Sequence, residues 1–315
     1  KRQRRKRWCP AVCRIRPRRT GERGSSAVAA ISSAGGSRVV TTPVQRLVAF
    51  TAEGRGGNPA GVAILESFPP DSEMQRLATK MGYSETVFAV PEGGRWRVRY
   101  FAPKGEVNFC GHATIALGAA LGARIGGGTY RLQLNEGEAE VTAHPDGTVS
   151  LVSPPTRSKA VPDTHLAAVL DAFGLRQEEL DPTVPPRLVM AGARHLLLAL
   201  RDRERLATMS YAFEVMRDFM RREDIATIAL AWRESYQLWH VRNAFAFGDV
   251  FEDPATGAAA AALAGYLREL GELAFEGNVA RLTILQGEDM QQPCALHVEA
   301  SPERGAPVTV SGTVG

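Results

Sequence analysis

The chain has 315 residues and a formal net charge of +4, with 44% hydrophobic and 23% charged residues. This composition is typical of a soluble globular protein, and the length suffices for two domains that each bury a core. No segment approaches the roughly 18 consecutive apolar residues of a membrane span. The four cysteines are too few and too scattered for a disulfide scaffold, so we expect a reducing compartment and a cytoplasmic location.

The positive charge is concentrated at the start of the chain. Residues 1–38 hold twelve Lys and Arg and one acid, Glu22, whereas the other 277 residues have a net charge of −7. We expect residues 1–43 to be a disordered basic tail or an upstream sequence translated from a start placed too early. An organellar transit peptide and a nucleic-acid-binding arm are the alternatives. The acidic body argues against nucleic acid or an anionic membrane as its partner.

From Val44 onward, the first half of the sequence predicts short strands around two helices. A helix over residues 71–81 has Ser72 and Gln75 at the spacing of a capping box. A second helix, over residues 111–124, has no charged side chain until its last turn, which indicates burial on all sides. The predicted strands of this half are 45–50, 61–65, 86–90, 95–101, 130–135 and two strands joined at residues 145–147.

The second half repeats this mixture of strands and helices. Residues 153–163 (SPPTRSKAVPD) are typical of a linker, so we predict one domain over 44–155 and another over 160–315. A long Ala-rich helix is expected over residues 254–270, with Pro254 as its first residue after an Asp253 N-cap. Shorter helices are expected over residues 165–173 and 211–221. The predicted strands are 187–191, 195–200, 226–232, 236–247, 281–286, 295–300 and 308–311.

The two halves of the sequence contain a short internal repeat. Arg99 begins RYFAP, and eleven residues later Cys110 precedes a helix rich in Ala and Gly. Arg242 begins RNAFAF, and eleven residues later Asp253 precedes another such helix, at an offset of 143 residues. This repeat predicts an α+β fold of two pseudo-symmetric domains that face each other. Each domain would be a buried helix wrapped by short strands.

The common cofactor and metal motifs do not occur in the sequence. It contains no GxxxxGK[ST], no GxGxxG between a strand and a helix, no GxSxG and no HExxH. The six histidines are scattered, and none pairs with a cysteine at zinc-binding spacing. We therefore expect no cofactor, nucleotide, flavin or metal.

Polar residues at helix starts and strand ends are the remaining candidates for chemistry. If the two buried helices aim their free N–H groups into one cleft, they would bind a substrate carboxylate, and His112 in that field would stay neutral. Glu85 would become a proton shuttle if an apolar cleft raises its pKa. Plain structural roles are the alternatives: a solvated strand end for Glu85, a core histidine for His112, a helix cap for Asp253 and a turn for Asn58.

Four sequence segments, in this order, are similar to those of a known protein family: GNPAGVA, SETVF, RYFAPKGEVNFCGHATIALG and FEDPATGAAAAALAGYL. Together they resemble the phenazine-biosynthesis PhzF-like family, which shares the diaminopimelate epimerase fold, from about Val44 to the C-terminus. The resemblance implies two pseudo-symmetric domains, each a central helix in a β-barrel-like sheet, with the active site between them. It also implies a cofactor-independent, usually homodimeric isomerase. The family's characterised member acts on trans-2,3-dihydro-3-hydroxyanthranilate.

The resemblance also implies roles for single residues. Glu85 matches the family's Glu that takes a proton from one ring carbon and delivers it to another. His112 and Asp253 match residues that hold the substrate and the acid–base geometry. Ala258 stands where the family often has Ser, and residues 290–294 (MQQPC) lack a basic residue that the family usually has. The predicted substrate-binding residues are Asn58, Cys110, Gly111, Thr256, Gly257 and Ala258.

Two other functions remain open from the sequence. A two-base amino-acid epimerase or racemase would need a pair of cysteines, but we place Asp253 at the position symmetric to Cys110. A non-catalytic small-molecule-binding dimer would need the helix-end anion site without Glu85. A severe loss of turnover in Cys110→Ala would favour the epimerase, and a fully exposed Glu85 with an ordinary pKa would favour the binding protein.

Overall fold

The computed structural model describes residues 43–315, so the predicted tail, apart from Pro43, lies outside the described residues. The α-helices are α1 (Asp71–Met81), α2 (Gly111–Ile125), α3 (Asp163–Phe173), α4 (Arg203–Ala207), α5 (Phe213–Arg222) and α6 (Gly257–Leu270). The strands are β1 (Gln45–Thr51), β2 (Asn58–Ile64), β3 (Thr86–Glu92), β4 (Arg95–Ala102), β5 (Gly105–Val107), β6 (Gly128–Gln133), β7 (Glu138–Ala143), β8 (Thr148–Val152), β9 (Arg157–Ala160), β10 (Arg187–Ala191), β11 (Ala193–Leu200), β12 (Thr227–Ser235), β13 (Leu238–Ala244), β14 (Glu252–Asp253), β15 (Phe275–Glu276), β16 (Val279–Gln286), β17 (Cys294–Ala300) and β18 (Val308–Val314).

The two halves repeat one series of strand pairings. In the first half β1–β2 is antiparallel, β2–β3 parallel, β3–β4 antiparallel, β4–β6 parallel, and β6–β7 and β7–β8 antiparallel. The second half has the same series in β10–β11, β11–β12, β12–β13, β13–β16, β16–β17 and β17–β18. This repetition confirms the predicted α+β fold with two pseudo-symmetric, diaminopimelate epimerase-like halves.

The last strand joins the halves. β18 pairs with β1 and β8 of the first half, and with β17 of the second. It thereby closes the first set of strands into a barrel-like ring around α2, which packs on β1, β2, β3, β7, β8 and β18. The division into 44–155 and 160–315 stays a prediction, and the pairings of β18 with β1 and β8 and of β17 with β1 cross it.

The central helices α2 and α6 are buried because small side chains let the strands approach closely. At Gly118 of α2, an added Cβ atom would lie 2.6 Å from Val141 and 2.7 Å from Val149. At Gly265 of α6, it would lie 2.5 Å from Thr156. The other helices cover the outer faces of the strands: α1 over β3 and β4, and α3, α4 and α5 over β11 and β12. None of the helices within residues 43–315 is long and apolar enough to cross a membrane.

The predicted capping box of α1 is wrong, although the predicted bounds of the helix are confirmed. The N-cap is Pro70, and no side chain bonds to the first turn. Ser72 lies inside that turn rather than before it, so its hydroxyl group is not at the capping position. Asp71 and Glu73 in the first turn supply the favourable negative charge instead.

Two further expectations are wrong because strand pairing overrides the local sequence signal. Within the predicted linker 153–163, β9 pairs antiparallel with β10. The predicted N-cap of α6, Asp253, lies in β14, where pairing with Asn243 keeps the backbone extended. The helix therefore begins at Gly257 with Thr256 as its N-cap, and Pro254 precedes it.

Candidate active site

The N-termini of α2 and α6 meet at a cleft between the two halves. Gly111 at the start of α2, and Gly257 and Ala258 at the start of α6, line this cleft together with apolar side chains that include Phe50 and Phe109. The free volume of this cleft is about 30 Å³, and it adjoins a larger open pocket of about 1040 Å³, to which Phe109, Gly111 and Ala258 also contribute. No side chain caps either helix, so both first turns offer N–H groups to an anion.

Three predicted residues form a cluster beside the start of α2. Glu85 directly precedes β3, and Cys110 and His112 flank Gly111. Cys110 Sγ donates to Glu85 Oε2 over 3.3 Å and lies 3.3 Å from His112 Nδ1, while His112 Nε2 lies 3.4 Å from Glu85 Oε2. The Glu85 side chain is only 13% exposed, so the structural alternative of a solvated strand end does not describe it.

Burial shifts the pKa of each titratable group in this cluster toward its neutral form. It raises the pKa of Glu85, against the hydrogen bonds from Ser84 and Cys110, which favour the ionised form. Burial lowers the pKa of His112, so its contact with Glu85 joins a carboxyl group to a neutral imidazole. Burial and the charge of Glu85 raise the pKa of the Cys110 thiol, so the thiol keeps its proton and acts as a donor.

Asp253 reaches this cluster from the second half. Its Oδ1 accepts from Asn58 Nδ2 over 2.9 Å and its Oδ2 from Thr256 Oγ1 over 2.5 Å. Burial raises its pKa to about 6, opposed by the nearby His112. Asn58 also donates to the Ala255 carbonyl over 3.2 Å. The Asn58 amide thus holds Asp253 and connects the two halves, and its predicted contact with a ligand stays a prediction.

The catalytic candidates stand beside the cleft rather than in its lining. Gly111, Gly257 and Ala258 line it, whereas His112 is 6% and Asp253 8% exposed and neither is a lining residue. Since Gly111 lies between Cys110 and His112, a ligand anchored at the helix N-termini would have the acid–base cluster next to it. The roles predicted for these residues remain proposals.

Two polar residues of the site, Ser84 and Gln286, were not predicted from the sequence. Ser84 Oγ lies 3.3 Å from His112 Nε2. Gln286 is buried, and it donates to the Asp253 carbonyl over 2.6 Å and accepts from the Thr256 N–H over 3.1 Å. Gln286 ends the inward-facing series of β16, and a polar residue in such a series is a signal that the sequence did contain.

The position symmetric to Cys110 is Thr256, so the predicted equivalence with Asp253 is wrong. Cys110 and Thr256 are the N-caps of the two helices. The strands that precede them match at an offset of 143 residues, but the second connection contains the extra turn Ala246–Gly248. Those three residues shift the register, so the helix caps match at an offset of 146.

Within residues 43–315, one group of side chains could hold a metal ion. Glu85, Cys110 and His112 each offer one ligand atom, and these atoms lie within 4.8 Å of one another. A metal would have to displace the proton of a thiol whose pKa is raised by burial. The expectation of a metal-free site therefore stays a prediction.

Several known proteins are similar to this chain in sequence and in fold. The family described as Phenazine biosynthesis-like protein, PhzC–PhzF, matches residues 47–314. The trans-2,3-dihydro-3-hydroxyanthranilate isomerase of Pseudomonas fluorescens is 30% identical over 272 residues, covering 84% of this chain and 93% of its own. A protein of Deinococcus radiodurans, named an isomerase, is 30% identical over 270 residues, covering 82% of this chain and 88% of its own.

A crystal structure agrees with these matches. The PhzF-family phenazine biosynthesis protein of Bacillus anthracis superimposes with a TM-score of 0.75 at 24% identity, covering 86% of this chain and 95% of its own. The chain therefore belongs to the phenazine biosynthesis-like PhzC–PhzF family and, with its relatives, to the isomerases.

Proposed function

We propose that the chain is a cofactor-independent isomerase that moves a proton within a small carboxylate-bearing substrate, with Glu85 as the acid–base group. The observation that carries the proposal is the position of Glu85, largely shielded from solvent beside the start of α2 and with a pKa that desolvation raises. A carboxyl group whose pKa lies nearer to neutrality can both accept and return a proton at physiological pH.

The substrate carboxylate would bind at the free N–H groups of Gly111, Gly257 and Ala258. Two helix N-termini favour an anion there, and the same groups would stabilise negative charge that develops when a neighbouring C–H bond breaks. Glu85 would take the proton, and the neutral His112 would orient Glu85 or the substrate by hydrogen bonding. Cys110, Asn58 and Thr256 complete the proposed set around the ligand.

A substrate like trans-2,3-dihydro-3-hydroxyanthranilate is proposed from the name of the P. fluorescens relative. The wall of the cleft suits a ring because it is apolar around Phe50, Phe109 and Leu151. Ala258, in place of the Ser often found in the family, provides no hydroxyl donor, so anion binding would depend on the backbone.

We also propose a cytoplasmic homodimer without nucleic acid or membrane as a partner, in keeping with the negative charge of residues 39–315.

Proton exchange in D2O, followed by NMR, tests this function. The full chain would be incubated with dihydro-hydroxyanthranilate and a panel of amino and cyclic carboxylic acids, without metal or nucleotide. We expect conversion of the first compound, with deuterium at a ring carbon. Deuterium only at the α-carbon of an amino acid would support a two-base epimerase instead, and exchange with none of the compounds would support a binding protein.

A further inference from the structure

One residue of β1 has a backbone conformation that its side chain disfavours. Phe50 has a φ angle of 61°, in the left-handed region that bulky side chains rarely adopt. Such a conformation costs free energy and persists only where the surrounding structure imposes it, often at a ligand-binding site. The conformation of Phe50 therefore indicates a role beyond strand pairing.

A β-bulge produces this conformation. Ala49 pairs with Val314 of β18. Thr51, two residues further along β1, pairs with the neighbouring Thr313, so β1 contains one extra residue, Phe50. Bulges redirect side chains and are common beside active sites, and a left-handed residue in a bulge is usually a glycine. Here that position holds a phenylalanine, so the bulge directs an aromatic ring.

The ring of Phe50 has a fixed position in the interior. Residues 48–51 are all buried, without the alternation of an ordinary strand, and Phe50 is only 1% exposed. At Gly312 of β18, an added Cβ atom would lie 2.6 Å from Phe50 Cδ1, so any side chain there would push the ring aside. Phe50 thus forms a rigid surface.

This rigid surface extends from the first half to the helix that begins in the second half. Phe50 lines the cleft together with Gly257 and Ala258. An added Cβ atom at Gly257 would lie 3.7 Å from Phe50 Cζ, which is an ordinary van der Waals contact. The tip of the ring therefore lies beside the residue whose N–H group we propose as a donor to the substrate carboxylate.

The cleft is narrow where Phe50 lines it. Its free volume of about 30 Å³ has room for about two water-sized groups, which suits a carboxylate group. The rest of a ligand would extend into the open pocket beside the cleft, and Phe50 is not among the residues that line that pocket. Phe50 would therefore contact the carboxylate and the carbon that carries it, rather than the far end of the ligand.

We propose that Phe50 is the specificity-determining residue of the cleft, and that it selects substrates whose carboxylate is attached to a flat, unsaturated carbon. This inference rests on the proposed function, which places the carboxylate at Gly257. A flat, conjugated group can stack on an aromatic ring or meet it edge to face. A tetrahedral carbon, as in an amino acid, is thicker and makes no such contact. Proton transfer stays with Glu85.

The second aromatic residue of this cleft, Phe109, is less suited to this role. It is 38% exposed, and its ring meets that of Tyr100 edge-on, with 5.8 Å between the centroids. Phe109 also lines the open pocket, where a ligand has space to adjust. We therefore assign the selectivity to Phe50.

Binding of three carboxylates to the full chain tests this inference without any turnover. Benzoate carries its carboxylate on a flat carbon and cyclohexanecarboxylate on a tetrahedral one, and the two have the same charge and the same number of carbon atoms. Acetate reports on the carboxylate site alone. We expect NMR titrations to give a dissociation constant for benzoate about 2- to 10-fold lower than that for cyclohexanecarboxylate, the usual contribution of an aromatic pair.

Two variants separate contact with the ligand from a structural role. Phe50→Leu keeps an apolar side chain but removes the aromatic ring, so it should bind benzoate and cyclohexanecarboxylate equally. Phe88→Leu makes the same change in β3, where the ring packs edge-on against Phe101, and should keep the preference. A measurement on the unchanged protein covers the case in which Phe50→Leu does not fold: we expect nuclear Overhauser effects between bound benzoate and the Phe50 ring.

Three results would overturn the role of Phe50 and leave the proposed function intact. They are equal binding of the two ring compounds by the unchanged protein, a preference that survives in Phe50→Leu, and contacts of bound benzoate with Phe109 but not with Phe50. If none of the three carboxylates binds, this inference fails together with the carboxylate site on which it rests. Isomerase activity is decided separately by the exchange experiment in D2O, so the two failures are distinguishable.

Discussion

The carboxyl group of Asp253 lies in the interior between the Asn58 amide and the Thr256 hydroxyl. Its pKa of about 6 exceeds the ordinary value of 3.8, so the folded state binds this proton more tightly than the unfolded state. The stabilisation is complete below about pH 4 and is lost as the pH rises through about 6. At neutral pH, the buried charge therefore destabilises the fold by up to about 3 kcal/mol.

Asp253→Asn should accordingly raise the melting temperature at about pH 7.5 while lowering activity. The Asn side chain has the same shape, and the Thr256 hydroxyl can turn to accept from it. Thermal unfolding of both proteins at about pH 7.5 and pH 4 checks this expectation. At the lower pH the two should unfold at similar temperatures, and an equal difference at both pH values would contradict the assigned pKa shift.

The Cys110 thiol affects the protonation of Glu85. Its hydrogen bond favours the ionised carboxylate, so Cys110→Ala should raise the pKa of Glu85. The acid limb of the kcat/KM profile should move to higher pH, with a far smaller loss at the optimum than in Glu85→Gln. Cys110→Ser, which keeps a donor, should leave the limb near its original position. An unmoved limb in Cys110→Ala would show that the thiol does not act on Glu85.

At the scale of elements, α2 depends on Gly118, where the absence of a side chain lets two strands approach the helix. In Gly118→Ala the new methyl group would lie 2.6 Å from Val141 and 2.7 Å from Val149. We expect a loss of about 1–3 kcal/mol in the free energy of unfolding, measured by denaturant titration. Gly105→Ala is the matched control, because nothing lies within 4 Å of its added Cβ.

A second substitution can relieve this clash. Gly118→Ala combined with Val149→Ala should be destabilised by less than the sum of the two single changes, since one of the two close contacts of the new methyl group is removed and only the contact with Val141 remains. If the double variant is destabilised by the full sum of the single changes, the two residues do not interact. Overpacking would then not explain the cost of Gly118→Ala.

The elements also show what could be predicted from the sequence. The bounds of α1 are correct because an apolar stripe and an ending at Gly82 are local signals. β9 and the start of α6 were missed because each depends on a strand pairing that the local pattern does not show: β9 pairs with β10, and β14 pairs with β13. Glu85, His112 and Asp253 came from motifs, whereas the partners Ser84 and Gln286 depend on tertiary contacts.

The whole molecule is closed by its last strand. β18 pairs with β1 and β8, and Gly312 packs so closely on Phe50 that an added Cβ would lie 2.6 Å away. A fragment of residues 44–155 would leave β1 and β8 with unpaired edges and should not unfold cooperatively in a thermal scan followed by circular dichroism. The same fragment extended by a linker and residues 308–315 should gain strand content. A cooperative transition in the fragment alone would show that the first half is independent of β18.

The central claim is that Glu85 performs the proton transfer, and Glu85→Gln tests it most directly. The variant keeps the size of the side chain and removes its ability to accept a proton. We would measure deuterium incorporation from D2O by NMR, and binding of the same carboxylate ligand by calorimetry, in both proteins. The account predicts that Glu85→Gln abolishes exchange while ligand binding stays within a few-fold of the unchanged protein. Exchange at the original rate in Glu85→Gln would contradict it.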